Sequence, residues 1–360
     1  VFDLERAAAK VAAAVEASWY GQSRLALSIR GLLRLLSWLY AAVTALRRTF
    51  YDLGLLPQTR LPVPVIVVGN LIVGGAGKTP LTRALAQQLR HEGWHPGIIS
   101  RGYGRQVPGV RAVYPGDDPA RVGDEPLLYA ADGFPVYVGE KRVAAAQALL
   151  AAHPEVDVLV ADDGLQHYAL ARDVELVVFD ERGLGNGRLL PAGPLREEPE
   201  RLRRPQVRAV VWQGGGGAQV LSENNAPQPP VFEMRLVPGD VYTLQDPKQI
   251  RSWADFAGQP VYAVAGIGHP ERFFRMLRAH GLHVEAHPYP DHYVFTEMDV
   301  AGWGSPVLMT EKDAVKCTGL AAAQHRGGDI FVVPVTAQLN PPLPLDCWLK
   351  RDGRATDGEA

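Results

Sequence analysis

Cysteine is scarce in this chain of 360 residues: Cys317 and Cys347 are its two cysteines, far apart and in no ligand spacing. That excludes a disulfide framework and a thiolate zinc centre, and suits a reducing compartment. Net charge is equally scant, at −2, so nothing draws the whole molecule toward nucleic acid, and an anionic partner must be met by a local patch. No nucleic-acid partner and no obligate protein partner are expected. No secretory signal is expected either, since residues 1–17 read as an Ala-rich helix carrying Asp3, Glu5, Arg6, Lys10 and Glu16. Acidic residues are missing altogether from residues 18–50, which hold Arg24, Arg30, Arg34, Arg47 and Arg48. A long apolar run is missing there too: the uncharged stretch between Arg34 and Arg47 is 12 residues, too short to span a bilayer.

What is present is an ordinary globular composition, 47% hydrophobic and 21% charged, on a chain long enough for two cores. Within 18–50, Leu32, Leu35, Leu36, Leu39, Val43 and Leu46 form one helical stripe, with Arg30, Arg34 and Arg48 opposite. Two readings follow: a helix lying in an anionic membrane surface, apolar face down, or an amphipathic helix packed on the domain behind it. From Pro62 the pattern turns α/β. Short apolar runs at 63–68, 97–100, 135–138, 156–161 and 176–179 alternate with helical stretches at 81–91 and 142–152, which implies a parallel sheet covered on both faces. Four glycines and several prolines at 214–230 read as a surface loop or boundary. Pro238-Gly239-Asp240 between two strand-like runs predicts a hairpin, and a second α/β unit starts at about 262. The expected organisation is an N-terminal helical segment over 1–55, a first α/β domain over 56–225, a β-hairpin linker over 226–244, a smaller second α/β domain over 245–345, and a disordered tail over 346–360.

The strongest chemical signal is Gly74-Gly75-Ala76-Gly77-Lys78-Thr79 between a strand and a helix. A Gly-rich turn aims backbone N–H groups at phosphates and the helix N-terminus adds partial positive charge. Lys78 would neutralise phosphate oxygens, and the Thr79 hydroxyl would hold Mg²⁺. Ile72 stands where the strict pattern has glycine, so this is a variant P-loop, with Ile72, Val73, Gly74, Gly75, Ala76, Gly77, Lys78 and Thr79 as the nucleotide-binding run. The apolar run 156–161 delivers Asp162-Asp163-Gly164, as a metal-holding strand does; a turn or helix cap is the plainer alternative. His167 is either a base or a helix-start residue. Gly123-Asp124-Glu125-Pro126 is either a capping pair or the source of a carboxylate that accepts a hydroxyl proton. Asp291-His292 pairs an acid with an imidazole, and Arg101, Arg105 and Arg196 lie in loops suited to phosphates. His280, His283 and His287 have metal-like spacing but no completing ligand, so no zinc site is expected.

These stretches, in order, resemble the tetraacyldisaccharide 4′-kinases of lipid A synthesis. The resemblance rests on Val68-Gly69-Asn70-Leu71 with the Gly-Gly-x-Gly-Lys-Thr-Pro loop, Ser-Arg-Gly-Tyr-Gly at 100–104, and Gly-Asp-Glu-Pro at 123–126. It continues through Asp-Asp-Gly-Leu-Gln-His at 162–167, the run LLPAGPLRE at 189–197, Asp291-His292, and Thr-Glu-Lys-Asp-Ala at 310–314, spanning about residues 19–335. It implies two α/β/α domains joined by a β linker, the first P-loop NTPase-like, with ATP and Mg²⁺ as cofactors. It further implies phosphorylation of the 4′-hydroxyl of a tetraacylated glucosamine disaccharide 1-phosphate at the cytoplasmic face of the bacterial inner membrane, with peripheral or monotopic attachment. By the same resemblance Asp124 pairs with His292, Asp162 and Asp163 match the acidic pair at the metal, Glu197 is a further metal ligand, and Arg142 and Arg196 lie near substrate or phosphate. His167 joins the substrate-binding set. The membrane reading of 18–50 then gains weight, with Arg30, Arg34 and Arg48 facing lipid phosphates. The rival function is a membrane-surface P-loop ATPase switch of the partitioning type. That class carries a second lysine where this chain has Val73, and the chain also lacks the Asn-Lys-x-Asp signature of GTPases.

Overall fold

The computed structural model describes residues 14–21, 27–217, 219 and 229–349. The expectations for residues 1–13, for most of the 214–230 loop and for the tail beyond 349 lie outside the described residues, as does Arg24.

Two sheets organise the chain. The first has nine strands: β1 (Val65–Gly69), β2 (Pro96–Ser100), β3 (Arg111–Val113), β4 (Val136–Val138), β5 (Val158–Asp162), β6 (Val174–Phe179), β7 (Val207–Gln213), β8 (Val231–Pro238) and β15 (Val335–Asn340). Their spatial order is β15-β8-β7-β6-β1-β5-β2-β4-β3, with β3 and β15 antiparallel at the two edges. β1, β2, β5 and β6 are buried along their whole length, as Val- and Ile-rich strands covered on both faces must be. Helix Lys78–His91 buries Leu81, Leu85, Ala86 and Leu89 on one face of the sheet. Helix Arg142–Ala152 buries Ala145, Ala146 and Leu149 on the other. The C-terminal ends of β1, β2, β5 and β6 thus open on one side, where open α/β sheets place their ligands.

The second sheet has six strands in the order β10-β9-β14-β13-β11-β12: β9 (Val241–Thr243), β10 (Ile250–Arg251), β11 (Pro260–Ala265), β12 (His283–Pro288), β13 (Val307–Thr310) and β14 (Ile330–Val333). β11 to β14 run parallel, and two apolar clusters cover the faces. The hairpin expected across Pro238-Gly239-Asp240 is corrected here. β8 pairs with β7 and β15 of the first sheet, whereas β9 pairs with β10 and β14 of the second. The chain therefore leaves the first sheet at β8 and returns to it at β15, so the second domain is an insertion with two connections, and 335–340 belong to the first domain. Residues 346–349, expected in the disordered tail, are ordered instead: helix Leu345–Trp348 and Leu349 pack on the first core.

Helix Leu27–Asp52 is one continuous helix of 26 residues. It meets the first domain through its polar and small face. The Ser37 hydroxyl donates to the Leu189 carbonyl at 2.9 Å, the Tyr40 hydroxyl donates to the Arg196 carbonyl at 3.0 Å, and Arg204 reaches Asp52 at 2.6 Å. Its apolar stripe is left outside, with Leu35 62%, Leu39 63% and Val43 57% exposed. Packing through the apolar face is thereby ruled out. Arg48 is on the docked side, 3.7 Å from Glu198, so its expected place at lipid phosphates is corrected; Arg30 and Arg34 are exposed. From Ile29 to Asp52 the helix is long and apolar enough to cross a membrane by length and composition, although its uncharged stretch is 12 residues and one side of it is bonded to the first domain.

Candidate active site

β1 ends at Gly69 and the chain turns at Asn70, which is wholly buried. The Asn70 amide donates to the Gly74 carbonyl at 3.0 Å, and its oxygen accepts from Lys78 Nζ at 3.2 Å, so one side chain pins both ends of the Gly-rich turn. Gly77 begins the helix at φ +86°, and a Cβ there would lie 2.6 Å from Gln213 Oε1. Glycine is the residue that fits. The first turn carries no acid and no side-chain cap, leaving its N–H groups to an anion. Residues from Gly75 to Thr79 line a cavity of about 730 Å³ between the two domains. Of the expected nucleotide-binding run, Ile72 is wholly buried and bridges to Leu195, and Val73, half-buried, donates its amide to the Pro194 carbonyl. They anchor the loop.

Asp162 closes β5 and is wholly buried. Its Oδ2 accepts from the Ser100 hydroxyl at 3.3 Å, while Oδ1 has no hydrogen-bond partner. Burial, then the charges of Glu125 and Asp163, push its pKa up. Asp163 sits at φ +46°, and although burial alone would raise its pKa, Lys78 at 3.6 Å and Arg196 at 3.3 Å outweigh that and hold it low. Tyr129 is packed beside Thr79 and Asp162, its phenol pushed up by burial and then by Asp162 and Glu125. An orphaned buried carboxylate oxygen beside other acids is a place for a divalent cation. Mg²⁺ is commonly held by one or two protein oxygens together with phosphates and water, and Thr79 with Asp162 fits that donor set. Among the described residues no group of three or more His, Cys, Asp or Glu side chains could hold a metal ion by itself. The Glu197 carboxylate is held by the Tyr168 hydroxyl, by Gln166 at 3.2 Å and by Arg201 at 3.8 Å, under helix Leu27–Asp52.

Asp124, 5% exposed, opens helix Asp124–Ala131. Gly123 before it has φ +92°, and a Cβ there would strike the Gly102 backbone at 2.9 Å, which fixes this loop against residues 100–104. Across the cleft His292 Nδ1 lies 2.9 Å from Asp124 Oδ2 and 3.2 Å from Oδ1. The His292 ring packs on Tyr103 at 4.6 Å between centroids. Burial favours the protonated acid at Asp124, but His292 and then Lys312 outweigh it and keep the carboxylate ionised. Among the described residues the non-glycine residues at positive φ are Asp163 and His292, both at this site, where strained backbone tends to be stored.

Arg142 is buried behind Asp162, donating to the Gly139 carbonyl at 2.9 Å and the Asp162 carbonyl at 3.2 Å. Burial lowers its pKa to about 10, so it remains a cation. Arg196 joins Asp163 to the region under the N-terminal helix. Burial, then Arg142 and Arg101, lower the His167 pKa to about 4, which makes it a neutral hydrogen-bonding group and a poor base at neutral pH. His280 bonds the Met276 carbonyl, whereas His287 stacks on Tyr262 and bonds Glu285, so these histidines do not converge. Sequence reasoning missed Asn70 and Lys312, both of which lie inside quoted motifs. It also missed the apolar wall of the cavity from Met234, Leu236, Ile267, Phe273 and Met276, which suits a nucleotide base.

Comparison with known proteins agrees with this geometry. The family model described as tetraacyldisaccharide-1-P 4′-kinase matches residues 29–351. A tetraacyldisaccharide 4′-kinase of Dechloromonas aromatica is 51% identical over 332 residues, covering 91% of this chain and 94% of the relative. That of Chromobacterium violaceum is 48% identical over 331 residues, covering 91% and 95%. Among solved structures, LpxK from Aquifex aeolicus in complex with ATP is similar at 30% identity and a TM-score of 0.68, covering 86% of this chain and 95% of that one. By sequence and by fold, then, this chain belongs to the tetraacyldisaccharide 4′-kinase family.

Proposed function

We infer that this chain transfers the γ-phosphoryl group of ATP to the 4′-hydroxyl of a tetraacyldisaccharide 1-phosphate, with Mg²⁺, in lipid A biosynthesis. The observation that carries the reading is the Asp124–His292 pair, contributed by two domains and joined to the nucleotide cavity through Glu125 and Lys312, which line it. In the transfer the acceptor oxygen bonds the γ-phosphorus, the bond from that phosphorus to the β-phosphate oxygen breaks, and the hydroxyl proton passes to the Asp124–His292 pair. Lys78 and the amides of Gly75 to Thr79 bind the phosphates. Asp163 holds Lys78 and Arg196 in place, and Arg142 supports Asp162 from behind. Bound Mg²⁺, held by Thr79 and Asp162, supplies charge neutralisation at the phosphate oxygens.

The finer placement follows from helix Leu27–Asp52. One side of it is hydrogen-bonded to the first domain, so lipid meets the opposite, apolar side, and the helix lies along the cytoplasmic surface of the inner membrane. A pocket under this helix is lined by Tyr40, Arg47, Arg48, Gln166 and Arg196. Since Arg196 also reaches Asp163, the path from membrane to P-loop is short. Acyl chains stay in the bilayer while the sugar reaches the cleft. The test is transfer of labelled phosphate from ATP to the tetraacylated disaccharide, with Lys78→Ala as control. Labelled lipid that disappears in the variant supports the reading; ATP hydrolysis without labelled lipid in the wild type defeats it.

A further inference from the structure

Lys312 comes from the Thr310–Ala314 motif, for which the transfer chemistry above has no use, yet its ammonium sits in the middle of the site. Thr310 caps helix Glu311–Cys317, which starts directly after β13 and delivers Glu311 and Lys312 to the domain cleft. Glu311 accepts from Arg83 of the P-loop helix at 2.8 Å, which fixes the register of this turn against the first domain. Lys312 Nζ is then 3.2 Å from Glu125, 3.0 Å from Asp291, 4.0 Å from Asp124 and 3.4 Å from Nε2 of His292. Burial would favour the neutral amine, but Glu125, Asp124 and Asp291 outweigh it and keep the group charged.

An ammonium only donates, and a carboxylate only accepts. Both neighbours of the His292 ring therefore ask for the same form: Nδ1–H toward Asp124, and a bare Nε2 toward Lys312. We propose that Lys312 is a positioning residue for the proton-accepting pair, holding His292 as the neutral Nδ1–H tautomer so that the Asp124 carboxylate stays oriented and available to the acceptor hydroxyl. Protonating Nε2 would set an imidazolium against the ammonium. Without the ammonium, Asp291, whose Oδ1 is 3.8 Å from Nε2, is released to accept from a protonated ring. The other groups facing this ring are Asp124 and Tyr103, with Glu125 acting on Lys312 and Lys316 acting on Asp124 from further away. The inference rests on the kinase reading and adds a role for one side chain to it.

The experiment measures kcat, KM for ATP and the pH profile of kcat/KM for phosphate transfer by the full-length wild type, Lys312→Met, Lys312→Arg, His292→Ala and the double variant Lys312→Met/His292→Ala. Lys312→Met is expected to lower kcat at least tenfold with KM for ATP within twofold. Removing the neighbouring cation removes the repulsion that opposes a proton at Nε2, so the acidic limb of the profile moves to higher pH. Lys312→Arg keeps the charge and leaves that limb in place. The double variant is no slower than His292→Ala alone, because Lys312 acts through the imidazole. An acidic limb unmoved in Lys312→Met, or an equal slowing with and without His292, overturns the proposal; a raised KM for ATP at unchanged kcat overturns it too and makes Lys312 a phosphate contact. Loss of transfer in the wild type would instead strike the kinase reading itself. Should Lys312→Met fail to fold, Lys312→Gln alone and with His292→Ala gives the same comparison.

Discussion

At the residue scale the site is built from a few side chains held by very local means. Asn70 joins Gly74 to Lys78, the left-handed Gly77 starts the P-loop helix, and Asp163 and His292 occupy backbone conformations their side chains do not favour. The phosphate-binding run through Lys78 and Thr79 was legible in the sequence because a Gly-rich turn before a helix is itself the chemistry, whereas Asp124 and His292, 168 residues apart, were joined only by the family resemblance. Nor was the hold of Tyr168, Gln166 and Arg201 on Glu197 legible, because nothing in the one-dimensional order reveals it. His167 gives a prediction at this scale. Its pKa is near 4 in the folded protein, against about 6.5 in the unfolded chain, so between those values the unfolded state binds more protons. Stability from this group is therefore complete above about pH 6.5 and is lost as pH falls toward 4. Urea unfolding between pH 4.5 and 7 should show a shallower acid-side loss for His167→Gln than for the wild type; equal slopes would remove His167 from that dependence.

At the element scale helix Leu27–Asp52 is the instructive case. Its periodicity displayed an apolar stripe, but a stripe does not say whether protein or lipid covers it. The answer came from the opposite face, where Ser37, Tyr40 and Asp52 bind the first domain. Exposed leucines make few contacts within the protein, so replacing them is cheap for the fold. Leu35→Glu/Leu39→Glu should abolish sedimentation with anionic phospholipid vesicles while leaving the thermal midpoint within a few degrees. Tyr40→Phe should do the reverse, keeping vesicle binding and costing about 1 kcal/mol of stability through the lost hydrogen bond to Arg196. Unchanged sedimentation of the leucine variant would contradict the interfacial placement. The strands followed the same logic: largely apolar runs such as β1 and β5 were readable, whereas the pairing of β8 with β15 joins positions about a hundred residues apart, which no local pattern encodes.

At the scale of the whole molecule, inserting the second domain between β8 and β15 ties it to the first sheet twice and brings its loops over the P-loop. Asp180, buried at the end of β6, is 2.8 Å from Arg272 of the inserted domain, and Gly268 packs against Gly75 so closely that a Cβ there would lie 2.7 Å from the Gly75 nitrogen. The P-loop and Asp124 on one wall and His292 with Lys312 on the other thereby share one cleft, and the transfer depends on both walls. The central claim is that Asp124 and His292 accept the proton together without binding ATP. The measurement that tests it most directly is steady-state transfer to the tetraacylated disaccharide by Asp124→Asn and His292→Ala. In each, kcat is expected to fall at least about a hundredfold, with KM for ATP within about twofold of the wild type. A kcat near that of the wild type in either variant, or a loss confined to KM for ATP, would contradict it.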